Sequence, residues 1–238
     1  MRWLQRYAPW VNQTLLLVRH GQASAGSDNY DRLSDRGREQ SRYLGQWWRK
    51  RNTQPAACFH GTLERQRDTK SLVLEDAGIA PPCSVLPDLD EYNHRAVDAH
   101  LGERLTTTES GAAPVNPESM SYADYATIMR RWRDSHSLPE ALEDWPDFAA
   151  RGWNTISSSA RQQAPDATLA YFTSGGIIST VLATVLDLDF DHCIDAIWRV
   201  RNASVTTLAY DGRNARLVEF NNVTHLDLHH DPELVTLI

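Results

Sequence analysis

Thr14-Leu15-Leu16-Leu17-Val18-Arg19-His20-Gly21 decides how the rest of the chain reads. A short apolar run ending on a glycine describes a buried strand that closes into a turn. In α/β folds the carboxyl ends of strands carry the sites, so Arg19 and His20 fall at a chemically favoured edge. Arg offers a planar, permanently charged fork for a phosphate, and a neutral His can act as a nucleophile near pH 7. The tripeptide alone also fits a structural His at a strand end. Its weight comes from the residues downstream of it.

Outward from this strand, residues 23–32 read as a polar loop containing Gly26, Asp28 and Asn29. Ser34 is placed to cap a helix over Asp35–Arg51, with Leu44, Trp47 and Trp48 as its apolar positions. Ala56-Ala57-Cys58-Phe59 makes a second buried strand, closed by His60-Gly61. A helix over Glu64–Ala77 stops at Gly78, and Ser84-Val85-Leu86 is a third short strand before Pro87. Residues 96–166 differ in character, with a Thr/Gly/Ala/Pro-rich loop at 106–117 and helices at Tyr122–Asp134 and 145–162. They read as an insertion over the sheet. Strand Thr168–Thr173, a helix at 177–186 and a hairpin of 202–210 with 215–220 through Asp211-Gly212 close the chain.

Strands alternating with helices, then a late antiparallel pair, predict an α/β domain. The expected architecture is a three-layer α/β/α sandwich with a mostly parallel central sheet. It forms one domain over residues 1–238, with a helical insertion or cap at about 96–166. With 41% hydrophobic and 23% charged residues, the chain can fill a core of that size and is not a disordered polymer.

A formal net charge of −7 argues against a general nucleic-acid binder, while leaving room for a local arginine cluster around a small phosphate. Cys58, Cys83 and Cys193 are widely spaced and form no CxxC pair; Cys58 and Cys193 read as small core hydrophobes. No apolar stretch reaches membrane-spanning length, and the first ten residues lack the continuous apolar run of a signal peptide. The expected location is therefore cytoplasmic.

Four pieces fall where strands end: Arg19-His20-Gly21, Gly61-Thr62-Leu63-Glu64-Arg65, Glu91, and Ser174-Gly175-Gly176. With Leu33-Ser34-x-x-Gly37-x-x-Gln40 between the first two, this ordered set resembles the histidine phosphatase superfamily, also called phosphoglycerate-mutase-like. The resemblance covers the core from about Leu15 to Tyr92 and from Leu169 to Leu226. The segment around Arg19–Ser24 and Tyr30–Ser34 is similar to a phosphatase-like branch of that family, whereas the middle insertion carries no assignable motif.

The resemblance implies roles residue by residue. His20 matches the nucleophile that becomes a phosphohistidine, and Arg19 and Arg65 match the arginines that clasp the phosphoryl oxygens. Glu91 matches the proton donor to the leaving oxygen and later the acceptor from water. Asp88 and Asp90 compete with Glu91 in the same acidic loop. Arg65 alternatively faces solvent from a very polar helix, and Arg67, two residues on, reads as a surface residue.

Ser174 stands where the family usually has a second His before the glycine pair. Serine keeps a hydrogen-bond donor but cannot carry positive charge. Its expected role is phosphate binding beside Gly175, as an N-cap whose following Gly175 and Gly176 amides face the anion. His60, His94 and His100 are candidates to compensate for the missing imidazole, His225 reads as structural, and a metal at His229-His230-Asp231 is not expected.

The implied activity is a phosphatase acting on a small phosphorylated substrate or a phosphoprotein, with no cofactor, no metal, no nucleic acid and no membrane partner. A phosphate- or phosphoprotein-binding regulator with weakened catalysis is the alternative. A mutase fits less well, because it must protect the phosphoenzyme from water. Trp132, Trp145 and Trp153 lie in the inserted helices as core residues, as contacts to an apolar substrate or as a homodimer contact.

Overall fold

The computed structural model describes residues 13–24, 31–102, 120–135, 137–139 and 142–237. The opening run forms strand β1, Gln13–Arg19, and its alternation sets the layers. Leu15 and Leu17 face one side, in a cluster with Phe59, Leu169, Tyr171 and Leu208. Leu16 and Val18 face the other, with Cys58, Ala170 and Phe172. A strand buried on both faces has no polar side to show, which is why its sequence is continuously apolar.

The remaining elements follow in order. Helix α1 is Asp35–Arg51, β2 is Ala57–His60, α2 is Glu64–Ala77 and β3 is Cys83–Val85. A 3-10 turn at Pro87–Leu89 leads to short helix α3, His94–Val97, continued by a π turn over Asp98–Gly102. Then come α4, Tyr122–Asp134; α5, Trp145–Arg161; β4, Thr168–Thr173; α6, Gly175–Leu186; and α7, Phe190–Arg199. Strands β5, Val205–Tyr210, and β6, Ala215–Asn222, precede a last short helix α8, Thr224–Asp227.

The six strands are ordered β3-β2-β4-β1-β5-β6. β1, β2, β3 and β4 run parallel, and β5 is antiparallel to both β1 and β6. This is the expected mostly parallel sheet closed by a hairpin. Helices α1 and α2 cover one face through Leu44, Trp48, Val73 and Leu74. Helices α5, α6 and α7 cover the other through Ile156, Ile177, Val181 and Ile194. The α5–α6 contact is tight at Gly152, where an added Cβ would lie 2.9 Å from Ile177 Cγ2.

Local chemistry explains the boundaries. Ser34 Oγ accepts from the Gly37 amide at the start of α1, and Gly78, at φ 71°, ends α2 in the left-handed region. Gly21 differs from expectation. Its backbone is not left-handed; a Cβ there would lie 2.3 Å from the Gly37 carbonyl, so the β1 end and the α1 start meet backbone to backbone. Gln40 holds the same junction by accepting from the Gln22 amide at 2.8 Å and donating to the Leu234 carbonyl at 2.8 Å.

Helix α7 is absent from the sequence reading. Asp189 caps it by accepting from the His192 amide, while Cys193 and Ile194 are buried against α6 and the sheet. Trp132 and Trp145 are buried core residues, and Trp153 packs edge-on against Tyr210 at 5.6 Å. Cys58 and Cys193 are buried as expected, and burial pushes both thiols up to about 12. Among the described residues no helix is long and apolar enough to cross a membrane.

Leu17 is fully buried where the sheet meets its helices. Leu17→Ala should lower unfolding free energy by about 2–5 kcal/mol in urea titration, and a loss below about 1 kcal/mol would contradict this packing.

Candidate active site

Parallel pairing of β1 with β4 runs from Thr14 opposite Thr168 to Arg19 opposite Thr173. It therefore brings His20 and Ser174 to the same carboxyl edge, and the His20 amide donates to the Thr173 carbonyl at 2.9 Å. The connection from β1 to β2 runs over one face and that from β4 to β5 over the other. A crevice opens at such a divergence in doubly wound sheets. It is a cavity of about 150 Å³ walled by Arg19, His20, Arg65, Glu91, Gly175 and a set of aromatic and apolar side chains.

The His20 ring is 5% exposed and its Nδ1 lies 2.7 Å from the Gly21 carbonyl. A carbonyl only accepts, so Nδ1 carries the hydrogen and donates. Nε2 is then left with its lone pair, which accepts from Arg65 Nε at 3.1 Å. Burial, then the charges of Arg65 and Arg19, hold the imidazole well below its usual pKa. The ring is neutral at pH 7, as a nucleophile must be.

Arg65 is buried at the start of α2, settling the alternative in which it faces solvent, and its Nη1 is 2.7 Å from Asp31 Oδ1. Asp31 also accepts from the Glu64 amide at 2.7 Å, so one carboxylate fixes both the helix start and the guanidinium. Thr69, one turn along α2, accepts from the Gly21 amide at 2.9 Å and locks the helix to the end of β1. Arg67 is exposed and pairs with Asp68, as expected. Arg19 donates to the carbonyls of Val200 and Leu237, the latter at 2.6 Å, and its guanidinium runs alongside Gly175.

The acidic loop resolves into three separate jobs. Asp90 accepts from the Thr62 amide at 2.6 Å, and Asp88 accepts from Thr155 Oγ1 at 2.6 Å. Glu91 alone of the three lies on the cavity wall. Its Oε2 accepts from the Gly176 amide at 2.9 Å and its Oε1 from the Tyr92 amide at 3.2 Å. A Cβ on residue 176 would come within 2.1 Å of Oε1, so only glycine permits this approach. Burial pushes the Glu91 carboxyl above the usual carboxylate range, against the opposing pull of the Gly176 amide and the arginines.

Ser174 differs from expectation. It is fully buried and stands outside the cavity wall, with Oγ accepting from Gln66 Nε2 at 2.8 Å. It sits at the N-cap position of α6 but makes no side-chain cap bond, and the Gly176 amide points to Glu91 instead of an anion. Gln66 is the cause: its amide also donates to the Leu89 carbonyl at 2.9 Å, so it bridges β4 to the Glu91 loop and takes the serine with it.

The other histidines separate cleanly. His94 is on the cavity wall, where burial lowers it to about 4. His60 is buried with Nδ1 2.7 Å from the Gly61 carbonyl and does not reach the wall, and His100 borders a different hollow with Arg130 and Arg131. His225 is buried beside α1, and His229 stacks on Tyr43 with ring centroids 3.5 Å apart. Sequence reasoning missed Asp31, Tyr92, Asp98, Tyr125 and Trp198. Trp198 was readable from the amphipathic spacing of Phe190, Ile194 and Ile197; the others come together only through tertiary packing.

A model of the histidine phosphatase superfamily (branch 1) matches residues 15–223, and the chain belongs to that family. No curated protein matches the sequence significantly. Among solved structures, phosphoglycerate mutase from Bacillus anthracis str. Sterne is 19% identical with TM-score 0.66, covering 93% of this chain and 99% of its own. The alpha-ribazole phosphatase from Shigella flexneri is 20% identical with TM-score 0.60, covering 88% and 96%. A mycobacterial glucosyl-3-phosphoglycerate phosphatase is 23% identical with TM-score 0.57, covering 87% and 98%. At these identities the likeness is one of fold.

The tautomer and charge of His20 are directly measurable. Nitrogen-15 NMR of the imidazole should show a protonated Nδ1 and an unprotonated Nε2 that persist from pH 8 down to about 6, below the usual histidine midpoint. A ring titrating at that usual midpoint would contradict the geometry.

Proposed function

We propose that this chain hydrolyses phosphoric monoesters through a phosphohistidine on His20. The observation that carries the proposal is the fixed tautomer: Nδ1 donates to Gly21, which leaves the lone pair on Nε2, where it accepts from Arg65 Nε, a bond that gives way as phosphorus takes that lone pair. Family membership supports a small phosphorylated substrate. Arg19 and Arg65 are the phosphate-binding cations, with Gly175 giving the oxygens close backbone approach.

In the first step Nε2 attacks phosphorus. The Nε2–P bond forms as the bond from phosphorus to the ester oxygen breaks, and the Glu91 carboxyl gives its proton to that oxygen. In the second, water attacks phosphorus, its proton passes to the Glu91 carboxylate, and the P–N bond breaks to release phosphate and neutral His20. The raised Glu91 carboxyl suits both directions, since it holds its proton more readily than an exposed acid. No metal or cofactor enters these steps. Asp98, Met120 and Tyr125, from the described part of the expected insertion, lie on the cavity wall.

A second reading has its own support. Ser174 takes the place of the family's second histidine, and its hydroxyl accepts from Gln66 away from the cavity wall. A pocket short of one charged donor could bind a phosphorylated partner and turn it over slowly; losing such a donor costs on the order of 10²–10³ in rate.

Activity toward an aryl phosphate and acetyl phosphate, with intact mass after acid-free quenching, separates the two. The expected result is turnover with a transient phosphoryl adduct, both abolished in His20→Ala. Glu91→Gln should lower turnover by about 10²–10⁴ on an alkyl phosphate, and by less on acetyl phosphate, whose leaving group needs no proton. Phosphate binding without His20-dependent turnover or adduct would give the site to the regulator.

A further inference from the structure

The cavity wall joins two kinds of side chain. Its cations are Arg19 and Arg65, beside His20. Tyr92, Tyr125, Trp198, Met120 and Ile197 give it an aromatic and apolar lining, with His94 and with Asp98 as a second carboxylate. Among the described residues of the wall there is no further Lys or Arg.

The aromatic lining is braced by further rings. Tyr92 packs against Trp132 at 4.9 Å and edge-on against Phe148 at 5.3 Å between ring centroids. Tyr125 leans on Trp198 at 5.0 Å, and its hydroxyl lies in the buried interior. Three elements with no sequence proximity thus build one wall: the Glu91 loop, α4 and α7. Such packing leaves no entropy to lose when a flat group docks against it. Tyr92 also follows Glu91, so the group attached to the leaving oxygen passes directly onto this wall.

We infer that the cavity selects phosphate monoesters whose alcohol portion is uncharged and apolar, and rejects monoesters that carry a second anionic group. This rests on the phosphatase reading for the placement of the phosphate. With Arg19 and Arg65 engaged by the phosphate, the second anion of a phosphocarboxylate or bisphosphate would meet the apolar lining and the Asp98 carboxyl, with no further Lys or Arg among the described residues of the wall to receive it. Burial raises Asp98 to about 6, so it is still largely ionised at pH 7.5.

Non-hydrolysable phosphonates test selection without turnover. Calorimetry at pH 7.5 would compare benzylphosphonate, phosphonoacetate and inorganic phosphate on the full chain, followed by Trp198→Ala and Asp98→Asn. Benzylphosphonate should bind at least about tenfold more tightly than phosphonoacetate, a margin one apolar contact surface can supply. Trp198→Ala should shrink that ratio by weakening benzylphosphonate alone, and Asp98→Asn should shrink it by strengthening phosphonoacetate. Equal affinities in the wild-type protein would overturn the inference even if His20-dependent turnover is present. Failure of all three anions to bind would instead overturn the phosphatase reading and the inference with it.

Discussion

Parallel pairing of β1 with β4 brings both strands to an end at the same level, with Arg19 opposite Thr173. Residues on either side of that last pair are therefore neighbours whatever the rest of the chain does. His20 takes its backbone bond from β4, and Glu91 reaches the first amides of the helix that β4 launches. A shift of one residue in this register would turn every side chain of β1 to the opposite face. Leu15 and Leu17 would then exchange clusters with Leu16 and Val18, and the site would disassemble together with the core.

Within that frame, the surroundings shift two ionisable groups in opposite directions. Burial and two guanidinium groups keep His20 neutral, while burial alone lifts Glu91 against donors that pull the other way. Such opposed shifts in one cavity mark it as a candidate functional site. Asp31 completes it by pairing with Arg65 and the start of α2, which points the guanidinium at His20.

The layers were legible because β1, β2 and β4 are buried on both faces and because caps such as Ser34 and Gly78 have local causes. Helices α1, α2 and α4 match the sequence reading end for end for the same reason. Arg19 and His20 were legible as residues at a strand end and Arg65 and Glu91 through the ordered motifs, and all four stand on one cavity wall. The bond of Ser174 to Gln66 was not legible, because Gln66 is a helix residue 108 positions earlier whose amide no local pattern assigns to it. The aromatic wall was hidden for a similar reason: Tyr92, Tyr125 and Trp198 come from separate elements, and α7 went unread.

The close passage of α5 over α6 reaches further than packing. Gly152 lets Ile177 settle against α5, and Ile177 directly follows Gly176, whose amide holds Glu91. Helix α6 is a stiff rod, so its axial position fixes how near that amide stands to the carboxylate. The proton affinity of the Glu91 carboxyl is thus written partly into an interhelical gap that lies off the cavity wall.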